Sequence, residues 1–208
     1  MSWKKVLTIT TVLAGATSVG IHLINKAIYI SATIDHLLKP ETETYYDWKF
    51  GKIFYTKQGQ GTPVLLIHDL NTSSSEYEWK NMCKMRSESR TVYTLDLLGC
   101  GRSEKPNLTY TNYLYVQLVN DFIKNIIKEK SDVIVTGQSS SFILGACQNS
   151  SNIIGNIIMI NPADIYTTAH IPTNRSRILT KLILLPLVGT LLYNILVRQD
   201  NIEKLFRE

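Results

Sequence analysis

The chain has 208 residues, of which 44% are hydrophobic, enough for one folded domain with an appendage and too apolar for a disordered chain. The net charge is +5, yet Lys and Arg are scattered and form no basic stripe interleaved with aromatics, which argues against nucleic acid as a partner. Cys83, Cys100 and Cys147 have no paired spacing and the four histidines do not cluster, so neither a disulfide framework nor a metal site is expected, and no cofactor is required.

Val6 to Asn25 is a run of 20 residues without Lys, Arg, Asp or Glu, preceded by Lys4 and Lys5 and closed by Lys26. As a helix it is about 30 Å long, the thickness of a bilayer core. It reads as a single-pass anchor, one helix standing apart from the folded domain, and makes the membrane a partner. The rival is a secretory signal cleaved at Ala14-Gly15-Ala16, against which apolar residues continue to Ile34. Lys4 and Lys5 are balanced by Lys26 and Lys39, so the charge rule sets no orientation and the side of the folded domain stays open. Pro40 to Thr44 is a polar linker, which divides the chain into an anchor and linker (1–40), a core (41–169) and a C-terminal helical segment (170–208).

In the core, Tyr45 to Lys57 is patterned as a hairpin around Gly51, and Gln58 to Gly61 as a turn. Pro63 to Ile67, PVLLI, has the continuous apolar character of a strand buried on both faces of a parallel sheet. A helix carrying Trp79, Met82 and Cys83 follows, then a strand from Thr91 to Leu95 ending at Asp96. Over Thr111 to Lys130 the residues Tyr115, Leu118, Val119, Phe122, Ile123, Ile126 and Ile127 make one apolar helical stripe. Val133 to Val135 and Ile157 to Ile160 are further strands. The alternation predicts an α/β fold: a mostly parallel sheet, helices on both faces, and loops gathered at the strands' C-terminal ends.

Ser131 to Asn149 passes from a β-branched strand through Thr136-Gly137-Gln138-Ser139-Ser140-Ser141 into an apolar, small-residue helix. Strand, sharp turn, helix is the layout of a nucleophile elbow, with Ser139 at the apex counting from Gly137, and with Ser141 where the pattern G-x-S-x-G has its second glycine. A glycine followed by three serines is also a plain polar turn.

Three segments in order and register resemble the α/β-hydrolase family over about residues 48 to 165. These are Leu66-Ile67-His68-Asp69, similar to the strand and His-Gly segment beside the oxyanion hole; Asp96 to Ser103, similar to a D-x-x-G-x-G-x-S loop; and Thr136 to Ser141, similar to the elbow. The resemblance implies a serine hydrolase of esterase, lipase or acyl-transfer type acting on a small apolar ester or acyl substrate. It makes Ser139 the nucleophile and the backbone N–H groups of Leu70 and Ser140 the oxyanion donors. Asp69 departs from the family's glycine and sets a side chain beside the hole. His68, Asp96, Gly99, Gly101 and Arg102 become loop organisers, with Gly137 and Ser141 supporting the elbow.

A serine needs a histidine base and a carboxylate to orient it, in the chain order nucleophile, acid, histidine. The one histidine after Ser139, His170, comes too early for that base, Asp164 matches only a less common acid position, and Asp200 sits in a helical pattern; a solvated loop is the expected place of His170 and Asp164. The family's last strands have no counterpart, so the sequence is expected to stop inside the family's lid. Arg177 to Arg198 is apolar but interrupted by Lys181, Pro186 and Gly189, which suits a pair of lid helices over an acyl pocket, also able to rest on a membrane, better than a second span. Two alternatives stand beside the hydrolase: a non-catalytic hydrolase-fold protein that binds an apolar ligand or partner, and a relative of epoxide hydrolases or dehalogenases, disfavoured because those carry an aspartate at the apex.

Overall fold

The computed structural model describes residues 3–33, 44–71, 73–164 and 173–196. They fall into two units: residues 44–164 form one, and residues 3–33 with 173–196 form the other.

In the first unit, β1 (Thr44–Trp48) and β2 (Gly51–Gln58) make the expected antiparallel hairpin. Then come β3 (Pro63–Ile67), α2 (Lys80–Arg86) entered through a short 3-10 turn, β4 (Thr91–Leu95), α3 (Asn112–Phe122), β5 (Ser131–Thr136), α4 (Ser139–Asn149) and β6 (Ile154–Ile160). The sheet order is β1-β2-β4-β3-β5-β6, with β4, β3, β5 and β6 parallel. Ile67 pairs with both Leu95 and Val135, and Thr136 with Ile160, so the parallel strands end level with one another. The residues just beyond those ends, His68 and Asp69, Asp96, Gly137 and Asn161, therefore share one edge of the sheet, where ligands of open α/β sheets are bound.

Two apolar layers cover the sheet because side chains alternate along a strand. Leu65, Ile67, Val133 and Val135 pack with α3 and α4, whereas Val64, Leu66 and Ile134 pack against Trp79 and Cys83. All five residues of β3 are buried, as a central parallel strand requires. The stripe on α3 is buried through Leu114, Tyr115, Leu118, Val119 and Phe122. Thr111 caps this helix by accepting the Leu114 N–H, and a wide turn over Ile123–Ile127 closes it where Lys128 takes a φ of 64°. β6 begins three residues earlier than the apolar run Ile157 to Ile160 indicates; Gly155 and Asn156 continue it beside Asp132, whose carboxylate accepts the Asn156 N–H at 2.8 Å.

In the second unit, α1 (Trp3–Thr33) is longer than the uncharged run, since Lys26 is a good helix former that does not end it. The helix does not stand alone, because Asn25 is hydrogen-bonded to the C-terminal helices. Those are α5 (Asn174–Ile183) and α6 (Val188–Leu196), joined through Pro186 and bent by 116°.

Candidate active site

The end of β3 is held by His68, which is fully buried: its Nε2 accepts the Leu97 N–H at 3.0 Å, and its Nδ1 is 2.6 Å from the Asp69 carbonyl oxygen. With Nε2 accepting, Nδ1 is the protonated nitrogen and donates to that carbonyl. The imidazole thus ties the loops after β3 and β4 together, with no ring nitrogen left to take a proton from a substrate.

The loop after β4 is organised by a second buried group. Asp96 Oδ1 accepts the Glu76 N–H at 2.6 Å and Oδ2 accepts the Arg102 N–H at 2.7 Å. Gly101, at φ +48°, brings the backbone against that carboxylate, where a Cβ would not fit. Arg102 pairs with Glu76, lies 3.6 Å from Asp96 Oδ2, and places its guanidinium 3.8 Å from the centre of the Phe54 ring. Ser103 Oγ donates to the Asp96 carbonyl at 2.6 Å and accepts the Phe54 N–H at 2.9 Å. Gly99, at φ +90°, lets the ring of Tyr110 lie over the turn. Asp96, Gly99, Gly101 and Arg102 form a structural brace.

The strand-to-helix turn departs from the expected register. Its residue of positive φ is Gly137 at +56°, so the apex is the glycine. Ser139 is the first residue of α4, fully buried, and its Oγ donates to the His68 carbonyl at 2.7 Å. The Ser140 N–H, expected in the oxyanion hole, goes instead to the Gly137 carbonyl at 3.3 Å, and Ser141 Oγ bonds the Gln138 carbonyl at 2.9 Å. Ser139 and Ser140 are 0% and 3% exposed, and their small side chains lie where α4 approaches the end of β3.

What fills the apex is a carboxylate from elsewhere in the chain. Asp69 Oδ1 accepts the Leu70 N–H at 2.8 Å and the Gln138 N–H at 2.7 Å, while Oδ2 accepts Asn71 Nδ2 at 3.2 Å. A Cβ on Gly137 would fall inside van der Waals contact of this carboxylate, so Asp69 stands where an apex side chain would. Leu70 is in the predicted cradle and Gln138 takes the place given to Ser140. Sequence reasoning missed Gln138 and Asn71; the available signals were the non-glycine at 69 and the glycine at 137. Asp164 follows β6, whereas His170 and Asp200 lie outside the described residues. Among the described residues no His, Cys, Asp and Glu side chains gather as a metal site.

No family model matches the chain. Among curated proteins it is 26% identical over 118 residues to 2-hydroxy-6-oxo-6-(2'-aminophenyl)hexa-2,4-dienoic acid hydrolase of Metapseudomonas resinovorans, covering 56% of this chain and 41% of that one. It is 31% identical over 83 residues to a soluble epoxide hydrolase of Corynebacterium sp. (strain C12), covering 40% and 28%. The chain spans less than half the length of the curated relatives it matches. Of solved structures, an α/β hydrolase fold protein from Burkholderia ambifaria superposes with a TM-score of 0.58 at 18% identity, over 69% of this chain and 53% of that one. A serine hydrolase involved in carbazole degradation superposes at 0.57 and 20% identity, over 78% and 66%. Strand order, level strand ends and the sharp turn between β5 and α4, joined to these likenesses, identify the chain as a protein of the α/β-hydrolase fold.

Proposed function

We propose that this protein is a membrane-anchored member of the hydrolase fold that binds an apolar ligand without acyl transfer at Ser139. One observation carries the absence of acyl transfer from this reading: the Asp69 carboxylate occupies the paired N–H groups of Leu70 and Gln138 above Gly137. An oxyanion hole acts through donors about 2.7–3.1 Å from the developing negative oxygen. Here both donors already hold an anionic oxygen at those distances, and a substrate carbonyl has to displace it. Ser139 is also drawn away from the chemistry, since its fully buried hydroxyl donates its proton to the His68 backbone carbonyl. The anchoring part of the reading is supported by α1, whose hydroxyls on Thr8, Thr10, Thr11, Thr17 and Ser18 all bond the carbonyl four residues earlier, as polar groups in lipid must.

The rival reading is a serine esterase, lipase or acyl-transfer enzyme using Ser139, favoured by the G-x-S spacing and by the hydrolase names of the curated relatives. The epoxide hydrolase alternative was disfavoured for a serine at the apex. That reason falls with Gly137 there, yet the apex still has no carboxylate of its own. The test is fluorophosphonate labelling and p-nitrophenyl ester turnover by the full chain and by Ser139→Ala. The expected result is no labelling or turnover that depends on Ser139; turnover abolished by Ser139→Ala overturns the proposal in favour of the esterase. Carbonate extraction tests the anchor, and release into the supernatant would favour a cleaved signal.

A further inference from the structure

α1, α5 and α6 carry a polar contact that a plain anchor does not need. Asn25 is the last residue of the uncharged run, and both ends of its amide are engaged: Nδ2 donates to the Leu187 carbonyl at 3.1 Å, and Oδ1 accepts from Asn194 Nδ2 at 3.0 Å. Leu187, at φ +64°, caps α6 and takes the Leu191 N–H on the same carbonyl at 3.1 Å. Three backbone donors of the bend stay inside it: Leu185 N–H goes to the Leu182 carbonyl, Val188 to Pro186 and Gly189 to Leu185. A bend that bonds most of its donors internally, attached by a half-buried asparagine pair, suits the condition that lipid places on irregular backbone.

Both helices expose apolar side chains beside the polar ones. Ile178, Leu179, Leu182, Leu184, Leu185 and Val188 are all exposed, Leu184 by 73%. Residues 173–196 contain Arg175, Arg177 and Lys181 and no Asp or Glu. Apolar exposure with only positive charge suits an anionic lipid surface. Neither helix crosses a bilayer, because 10 residues of α5 and 9 of α6 give about 15 Å each against a core of about 30 Å. Asn25 adjoins Lys26 and lies about 30 Å along α1 from Lys5, at one edge of the apolar span, so whatever docks on it sits at the depth of the headgroups.

We propose that α5 and α6 form an interfacial hairpin embedded in one leaflet of an anionic phospholipid bilayer and clamped to α1 by Asn25 and Asn194. The proposal rests on the reading of α1 as a membrane anchor. The experiment reconstitutes the full chain, with Cys147→Ser, in vesicles of equal phosphatidylcholine and phosphatidylglycerol. An NBD fluorophore is attached at Leu184→Cys or at Leu13→Cys, and is quenched by doxyl lipids of shallow or deep label or by aqueous iodide. The expected result is shallow doxyl quenching at position 184 and deep doxyl quenching at position 13. Adding Asn25→Leu is expected to leave position 13 unchanged and to lower the docked population reported at position 184 about eightfold, the weight of the two interhelical hydrogen bonds that Asn25 makes, in lipid. Iodide quenching at 184 with deep doxyl quenching at 13 overturns the hairpin and leaves the anchor standing. Protection of 184 from both quenchers means that protein covers it, which also overturns the proposal. Lack of doxyl quenching at 13 overturns the anchor itself, and unchanged quenching at 184 in Asn25→Leu overturns the clamp.

Discussion

Gly137 and Asp69 are predicted to be energetically coupled, because one side chain occupies the space that the other lacks. Placing alanine at position 137 imposes two costs. The residue must hold φ +56°, which for a residue with a Cβ costs about 1–2 kcal/mol. The Cβ also displaces the Asp69 carboxylate from the N–H groups of Leu70 and Gln138, two charge-assisted bonds of about 1.5–3 kcal/mol each when fully desolvated. Asp69 is half-exposed, so water recovers a large part, and about 2 kcal/mol is the expected net loss. Gly137→Ala should therefore cost about 3–4 kcal/mol in the natural sequence and only about 1–2 kcal/mol in an Asp69→Gly background. The assay is urea unfolding of the four detergent-solubilised full-length chains, followed by the fluorescence of Trp48 and Trp79, both buried. Equal costs of Gly137→Ala in the two backgrounds, within about 0.5 kcal/mol, would refute the claim that Asp69 fills the apex.

Ser139→Ala removes the hydroxyl bonded to the His68 carbonyl and should destabilise the fold by about 1–2 kcal/mol in the same unfolding assay, a cost that a solvent-facing nucleophile would not show. The thiols of Cys83 and Cys100 are pushed up, to about 12 by burial and to about 11 by burial and the Asp96 charge. Ellman's reagent at neutral pH should therefore modify the half-buried Cys147 first, and the other two at least about a hundredfold more slowly, judged against an ordinary thiol near 8.5. Asp132 is held below the usual carboxylate range by the Asn156 N–H and by Arg90, against the opposing effect of burial. Since its folded value lies below its unfolded one, it stabilises the fold above about pH 4 and that contribution disappears as pH falls through the folded value. Asp132→Asn should lower stability by about 1 kcal/mol at neutral pH and flatten the acid limb of the stability profile.

The strands and helices were legible because each has its period written locally. PVLLI is apolar at every position and became the strand buried along its whole length, and the part of the 3.6-residue stripe from Tyr115 to Phe122 became the buried face of α3. The two positive-φ glycines of the loop after β4, Gly99 and Gly101, stand at the glycines of the D-x-x-G-x-G-x-S loop that Asp96 to Ser103 resembles. The elbow was harder, since TGQSSS fits the turn in two registers two residues apart. Counting from the glycine puts Ser139 on the apex; making the glycine the apex puts Ser139 and Ser140 in the close-packed first turn of the helix. Nothing within those six residues separates the two registers. The distinction comes from Asp69, distant in sequence, whose carboxylate can approach the turn only if residue 137 lacks a Cβ.

The same constraint explains how the architecture accommodates an exchanged apex. The parallel strands end level because Ile67 pairs with Leu95 and Val135, so the loop after β3 and the turn after β5 face each other whatever side chains they carry. Their inward N–H groups, from Leu70 and Gln138, need an acceptor: a bound oxyanion in an acyl-transfer enzyme, and here the Asp69 side chain. A carboxylate supplied by the chain satisfies both donors without a ligand and fixes the loop after β3 against α4, which the Ser139 to His68 hydroxyl bond reinforces from the buried side. Stability and acyl transfer therefore make opposite demands on this position. A chain in which Asp69 is replaced by glycine recovers an empty pair of donors but loses the strut between β3 and α4, and the loop after β3 should become the first part of the sheet edge to exchange its amide hydrogens.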